Sequence, residues 1–316
     1  MPKVSVIIPT YNRAAPLQKA IASVLSQTFQ DFEVIVVDDA SPDNTGDMVR
    51  SFGDQRIRYI RHEVNKGEGA ARNTGILHSK GEYLAFLDDD DEWFPDKLRK
   101  QVALLDHSPL NVGVIYTGYR KIDTTTGITL LDLVPSKRGN IFNDLLQDNC
   151  IATTTVLVRR QCFDKAGLFE EGVAFGADYD MWIRVSREFH IDYIKEPLVN
   201  YYIHGNNVTR NYANVITGLE LQLAKYESFW AVNSKSYSAK YISLGVLYCY
   251  TGNTKKGRAA LLKAVRLYPL GIKQYYNLLL SLLGSNGFTK VKGATERLSL
   301  KLRALPGQYF QQTSGL

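Results

Sequence analysis

Four adjacent carboxylates, Asp88 to Asp91, follow directly on the apolar stretch Tyr83-Leu84-Ala85-Phe86-Leu87. Like charges this close raise one another's energy, so a folded chain needs a counter-charge beside them. A hard divalent cation, Mg2+ or Mn2+, suits oxygen ligands at a strand end and is commonly shared with phosphates. The plainer reading is a solvated acidic turn. A second acidic pair, Asp38-Asp39, follows the apolar run from Phe32 to Val37 and precedes Ser41-Pro42-Asp43. A carboxylate exposed there can accept hydrogen bonds from the N–H of a uracil ring or from ribose hydroxyls. It can also cap a following helix, although Ser41 or Asp43 would serve for that. Arg72 offers a guanidinium that can fork onto a phosphate or pair with the acidic strand ends.

The elements around these residues are readable from their periodicity. Val4 to Ile8 is short, apolar and β-branched, and Pro9 is expected to end it. Phe32 to Val37, Ile57 to Ile60 and Tyr83 to Leu87 read as three more strands. Between them, Ala15 to Ser26, Asp43 to Phe52 and Gly69 to Ser79 read as helices, the first with Leu17, Ala20, Ile21, Val24 and Leu25 at helical spacing. Alternating strands and helices predict an α/β fold with a mostly parallel sheet and right-handed crossovers. Ligands bind such sheets at the carboxyl ends of the strands, where Pro9-Thr10, Asp38-Asp39 and Asp88 to Asp91 fall.

Farther on, Val112 to Tyr116 and Thr154 to Val158 read as strands, Asp178 to Glu188 as a helix and Asp192 to Tyr202 as extended chain. From about Ile216 the chain reads as helical. Tyr241, Leu244, Gly245, Tyr248, Gly257, Leu261, Ala264 and Pro269 fit tetratricopeptide spacing, with a partial second unit near Ile272. The expected division is residues 1–215, in a donor-binding half of about 1–110 and an acceptor half of about 111–215, and a helical region 216–316. Val291, Ala294, Leu298, Leu302 and Leu305 predict an amphipathic last helix that caps the repeat or lies on a membrane.

Composition narrows the class. The 316 residues, 45% hydrophobic with 19 tyrosines, can bury a large core and do not describe a disordered chain. Cys150, Cys162 and Cys249, odd in number and without a C-x-x-C pair, predict reduced thiols and a cytoplasmic protein. No signal peptide is expected, since Val4 to Ile8 is too short for one and runs into Pro9, and no apolar stretch is long enough to span a bilayer. The net charge of +6 is uneven: residues 251–316 hold eleven Lys/Arg against Glu296, or +10, which leaves −4 for residues 1–250. That basic segment predicts an anionic partner such as the inner face of the cytoplasmic membrane, or a solvated helical face; a nucleic-acid partner is not expected. A Walker A loop is absent, and Gly67-Glu68-Gly69-Ala70-Ala71-Arg72 misses the third glycine of a dinucleotide fingerprint.

Four segments in order strongly resemble the family 2 glycosyltransferases. They are Val4-Ser5-Val6-Ile7-Ile8-Pro9-Thr10-Tyr11-Asn12-Arg13, Val36-Val37-Asp38-Asp39-Ala40-Ser41, Gly69-Ala70-Ala71-Arg72-Asn73-Thr74-Gly75 and Phe86-Leu87-Asp88-Asp89-Asp90-Asp91. Order and spacing agree along roughly the first 210 residues. The resemblance implies a GT-A fold, a nucleotide-diphospho-sugar donor (a UDP-sugar above all) and inverting transfer to a glycan or lipid-linked acceptor of the cell surface. It implies donor contacts from Pro9, Thr10, Tyr11, Arg13, Asp39, Arg72, Asp88 and Asp89, and Mg2+ or Mn2+ held by Asp90 with Asp88. Asp39 would meet the nucleobase, Asp89 the ribose or the following turn, and Asp91 would cap the helix from Pro95 to Leu105.

Gly176-Ala177-Asp178-Tyr179-Asp180-Met181-Trp182-Ile183-Arg184 is similar to the family's Glu-Asp motif, with Ala177 where Glu is common. By that match Asp178 is the base that deprotonates the acceptor, with Asp180 its rival. His204, closing Tyr201-Tyr202-Ile203-His204, corresponds to a histidine that family members place near the diphosphate or metal. Two other readings stay open: a sugar-1-phosphate nucleotidyltransferase, and a non-catalytic sugar-nucleotide-binding adaptor.

Overall fold

The structure is a computed structural model that describes residues 1–204 and 211–303, with side chains as far as residue 295. The chain forms two compact units, Met1–Asn207 and Val208–Leu316.

The first unit opens with β1 (Val4–Thr10), α1 (Ala14–Leu25), β2 (Phe32–Asp38), α2 (Thr45–Arg50), β3 (Ile57–Arg61), α3 (Glu68–His78) and β4 (Tyr83–Phe86). These strands are parallel in the order β3-β2-β1-β4. After β5 (Glu92–Trp93) comes α4 (Lys97–His107). Val4, Val6, Ile8, Val34 and Val36 pack with Leu17 and Ile21 of α1 and Leu98 and Val102 of α4. On the alternate positions Ile35 and Val37 meet Ala71 of α3. Cover on both faces is why β1 and β2 read as unbroken apolar runs. Gly75 lets α3 lie close to the sheet, since a Cβ there would come within 2.4 Å of Ile7 Cγ2. Pro9 does not end β1. It pairs with Val37 of β2 and lies past Ile7↔Phe86, the last β1–β4 pair, where its missing N–H leaves no β4 acceptor bare.

The sheet continues through β6 (Val112–Asp123), β7 (Thr129–Leu133), α5 (Phe142–Gln147), β8 (Val156–Arg159), α6 (Gln161–Ala166), α7 (Ala177–Glu188) and β9 (His190–Ile203). β8 is antiparallel to β4 and β6, and β9 runs parallel to β6. Thr153–Thr155 forms a single 3-10 turn, where a strand from Thr154 was expected. At its far end β9 pairs with β5, Glu92 opposite Asn200, so residues 200–204 return to the acidic run from more than 100 positions away.

Lys97 is fully buried under this edge. Its Nζ donates to Gln101 Oε1 at 2.8 Å and lies 3.8 Å from the centre of the Trp93 ring. Burial alone holds its pKa well below the ordinary 10.5. A lysine whose folded pKa is depressed is protonated mainly in the unfolded chain, so this group makes stability rise with pH until 10.5. The unfolding free energy of the parent should therefore gain on that of Lys97→Met by up to about 1.4 kcal/mol per pH unit in that window. Urea melts of both proteins across alkaline pH check this, and a pH-independent difference would remove the buried-amine account.

The second unit contains α8 (Tyr212–Lys225), α9 (Glu227–Ala231), α10 (Ser234–Tyr250), α11 (Thr254–Leu267), α12 (Ile272–Ser281) and α13 (Gly284–Arg303). Asn211, Asn233 and Asn253 cap α8, α10 and α11, each side chain accepting a backbone N–H three residues on. α10 and α11 approach closely at two glycines: a Cβ on Gly245 would come 2.6 Å from Leu261 Cγ, and one on Gly257 2.6 Å from Cys249 Sγ. Leu244, Tyr248, Leu261 and Ala264 are buried along this pair. Of the apolar positions expected on the last helix, the side chains of Leu298 and Leu302, and all of Leu305, lie outside the described residues.

Candidate active site

The carboxyl ends of β1, β2 and β4 meet at one edge. Thr10 Oγ1 donates to Asp89 Oδ2 (2.7 Å), and Arg13 Nη1 lies 3.0 Å from Asp89 Oδ1 and 2.7 Å from Asp90 Oδ2. His204 Nε2, carried in by β9, is 2.7 Å from the same Asp90 oxygen. Arg72 Nη2 donates to Asp88 Oδ1 at 2.8 Å and also to Glu68. The acidic run is thus answered by two guanidinium cations and one histidine, which the chain supplies from the turn after β1, from α3 and from the end of β9.

The four aspartates are not equivalent. The Asp89 side chain is 7% exposed, and burial, aided by the charge of Asp90 and opposed by Arg13 and Thr10, pushes its pKa up to about 6. Burial and the charge of Asp90 also raise Asp88, against the pull of Arg72. Asp91 is buried and raised well above the carboxylate range by that burial and by Asp88 and Asp90. Its Oδ1 accepts the Tyr202 N–H at 3.1 Å. Asp91 therefore anchors β9 to the acidic turn and does not cap α4. The residue before α4 is Asp96, whose side chain makes no capping bond.

Asp39 is 3% exposed, contrary to the expectation of a solvent-facing carboxylate. Oδ1 accepts the Lys66 N–H (2.9 Å) and lies 2.7 Å from His62 Nδ1, while Oδ2 accepts the Gly67 N–H (2.7 Å). The anion at the start of α3 is thus the chain's own carboxylate, which accounts for Gly67-Glu68-Gly69 without a dinucleotide. Ala40, at φ 68°, and Asn12, at φ 55°, hold the left-handed conformation in the turns that follow β2 and β1. Asn12 N–H donates to Ser41 Oγ at 2.8 Å and joins those turns. Pro9 is buried in β1, whereas Tyr11 stands 47% exposed beside it.

Four residues of the segment Gly69 to Asn73 have separate tasks. Gly69 allows close approach of the 169–171 loop, since a Cβ would lie 2.5 Å from the Glu170 carbonyl oxygen. Ala71 packs on Ile35 and Val37, Arg72 reaches Asp88, and Asn73 Nδ2 donates to the Phe169 carbonyl and to Glu171, both at 2.9 Å. That loop leads into α7. Burial opposes the charge on Arg72, but Glu68, Asp88 and Asp178 outweigh it and raise the pKa of the guanidinium. Its Nε is buried and has no hydrogen-bond partner among the described residues.

Asp178 lies half-buried in the first turn of α7, where Thr153 Oγ1 donates to its Oδ2 at 3.3 Å. Asp180 is 5% exposed and bound to Arg184 Nε at 2.8 Å, and Arg184 in turn donates to the carbonyls of Ala166 and Leu168. Of the two rivals, Asp180 serves the packing of α7, and Asp178 is left within electrostatic reach of Arg72 and Asp88.

Among the described residues no three His, Cys, Asp or Glu side chains form a metal cage. An ion shared with a nucleotide needs fewer, because phosphate oxygens complete its shell. Asp90 and Asp88, hard donors on one turn with His204 against Asp90, fit such a shared ion and do not fit a dedicated protein site.

Residues 5–167 match the family described as Glycosyl transferase family 2. The chain belongs to glycosyltransferase family 2. An uncharacterized glycosyltransferase, RP339, of Rickettsia prowazekii is 35% identical over 73% of this chain and 71% of that relative. The match spans 36% of the length of three other Rickettsia relatives. The UDP-Glc:alpha-D-GlcNAc-diphosphoundecaprenol beta-1,3-glucosyltransferase WfgD of Escherichia coli is 32% identical over 60% of this chain and 72% of its own. Among solved structures, TarS of S. aureus in complex with UDP-GlcNAc superposes with a TM-score of 0.67, at 18% identity, over 93% of this chain and 92% of that one. The architecture is the GT-A fold, followed by a helical region.

In this family 2 chain the four motif segments converge on one edge with Asp178 and His204. Sequence reasoning missed His62, which supports Asp39 and whose Nε2 lies 2.8 Å from Thr74 Oγ1, and Thr153 beside Asp178. The run Thr153-Thr154-Thr155 was the available signal for the second; nothing in the spacing marked the first.

Proposed function

We infer that the chain is an inverting glycosyltransferase. It would move a sugar from a nucleotide-diphospho-sugar, a UDP-sugar in the favoured form, to a glycan or lipid-linked acceptor in cell-surface polysaccharide or glycoconjugate synthesis. The observation that carries this reading is that Asp178, half-buried and met by Thr153, stands within electrostatic reach of Arg72 and Asp88, whereas its rival Asp180 is bound to Arg184. Inversion needs a base on the face opposite the leaving diphosphate. Asp178 would take the proton of the acceptor hydroxyl while its oxygen attacks the anomeric carbon, and Thr153 would fix the carboxylate's orientation. Arg72, Arg13 and His204 would bring positive charge to the diphosphate as negative charge grows on it. A divalent ion bound with the donor, held by Asp90 with Asp88, would supply a Lewis acid at the same oxygens. The donor class is supported by the names and ligands of WfgD and TarS. The packing of Leu244, Tyr248, Leu261 and Ala264 supports reading α10 and α11 as a tetratricopeptide-like pair.

Incubation with a panel of nucleotide sugars, with free nucleoside diphosphate as the readout, tests the reading. Slow hydrolysis of one donor, stimulated by a glycan or lipid-linked acceptor, is the expected result. Release of inorganic pyrophosphate from a nucleoside triphosphate and a sugar phosphate instead would overturn it.

A further inference from the structure

α12 is built inside out. Its inward residues are polar: Gln274 is 2% exposed, Asn277 3% and Ser281 0%. Its outward residues are Ile272, Tyr275, Tyr276 and Leu279, followed in the turn after it by Leu282 and Leu283, and Ile272 (83%), Leu279 (67%) and Leu282 (63%) are the most open of the six. The spacing i, i+3, i+4, i+7, i+10 and i+11 places all six on one face, which continues through the turn after Ser281. A helix that only packed on its neighbours would turn this face inward, because exposed leucines are unfavourable in water. Lys273 and Lys290 are exposed, and Lys292 Nζ lies 5.8 Å from the Tyr276 ring centre. Residues 228–295 hold ten Lys/Arg and no Asp or Glu.

We propose that this face of α12 docks on the surface of an anionic lipid bilayer. The occupant follows from the two properties together. Acyl chains accept the leucines and isoleucine, acidic headgroups accept the lysines, and the two tyrosines suit the boundary between them. A second copy of the chain would bring the same uncompensated positive charge to the contact, and a nucleic acid offers no apolar phase for the leucines. The contact is superficial, since no helix among the described residues is long and apolar enough to cross a membrane. The inference rests on the proposed function, which supplies a reason to be there: a lipid-linked acceptor is presented at such a surface.

Sedimentation of the full chain with vesicles tests it. The parent should pellet with phosphatidylglycerol–phosphatidylcholine vesicles and stay in solution with phosphatidylcholine alone. Ile272→Ser, Leu279→Ser and Leu282→Ser combined should lower partitioning by about tenfold or more. Lys273→Gln with Lys290→Gln should lower it by roughly tenfold and weaken its salt dependence. Leu110→Ser, at an apolar site 75% exposed in the first unit, should change nothing. Circular dichroism keeps a misfolded variant from being read as a docking defect. The proposal fails if the triple serine variant pellets like the parent, if RNA displaces the parent from vesicles, or if the parent is a dimer that the serines dissolve. Donor hydrolysis in the same preparations separates the two readings. Hydrolysis without vesicle binding removes the docking face alone, and vesicle binding without hydrolysis removes the transferase reading alone.

Discussion

Asp178→Asn should bind the donor as the parent does and turn over roughly 10²–10⁴-fold more slowly, the span a positioned general base contributes. Asparagine keeps the shape of the side chain and can still accept from Thr153, 3.3 Å from Asp178 Oδ2. It cannot take a proton from an acceptor hydroxyl. The substitution also removes one negative charge from the surroundings of Arg72, where Glu68 and Asp88 remain, so the cation stays paired. Asp180→Asn makes the opposite prediction. It weakens the bond to Arg184 Nε, and with it the fixing of Arg184 on the carbonyls of Ala166 and Leu168, so the melting temperature should fall. Donor affinity by calorimetry, single-turnover rate and thermal melts of both variants distinguish the roles. Near-normal turnover in Asp178→Asn would take Asp178 out of the base role.

The contrast between these two aspartates shows what the sequence could carry and what it could not. Both are acids at the start of one helix, two positions apart, and spacing alone gives them equal claim. Only the fold shows that Arg184, one turn on, takes Asp180. The parallel half of the sheet was legible because burial on two faces leaves apolar runs such as Val4 to Ile8. The return of β9 to the acidic turn was not, because strand pairing across more than 100 residues leaves no local pattern. Asp39 shows the converse. Its position at a strand end was readable, but its burial depends on the backbone of Lys66 and Gly67 folding over it. Gly67, whose φ of 89° permits that fold, is also the first glycine of the incomplete dinucleotide fingerprint.

Asp90→Ala should abolish the metal dependence of donor binding, and its effect should reverse sign when metal is removed. In the parent one oxygen of Asp90 holds both Arg13 Nη1 and His204 Nε2, each at 2.7 Å. If Asp90 held an ion shared with a diphosphate, its charge would be drawn to the metal, and Arg13 and His204 would be free to turn to the phosphates. With Mg2+ or Mn2+ present, losing Asp90 should weaken donor binding by at least about tenfold, a carboxylate ligand being hard to replace in a site with so few. In EDTA the parent loses the ion and keeps Asp90, which holds Arg13 and His204 back from the phosphates, whereas the variant presents both side chains to them. The variant should then bind the donor at least as tightly as the parent. Calorimetric titration of both proteins with the nucleoside diphosphate, with metal and with EDTA, gives the four affinities. A parent whose affinity ignores EDTA would remove the metal from Asp90. A variant weaker than the parent under both conditions would mean that Asp90 acts by holding Arg13 and His204 in place, with no ligand role of its own.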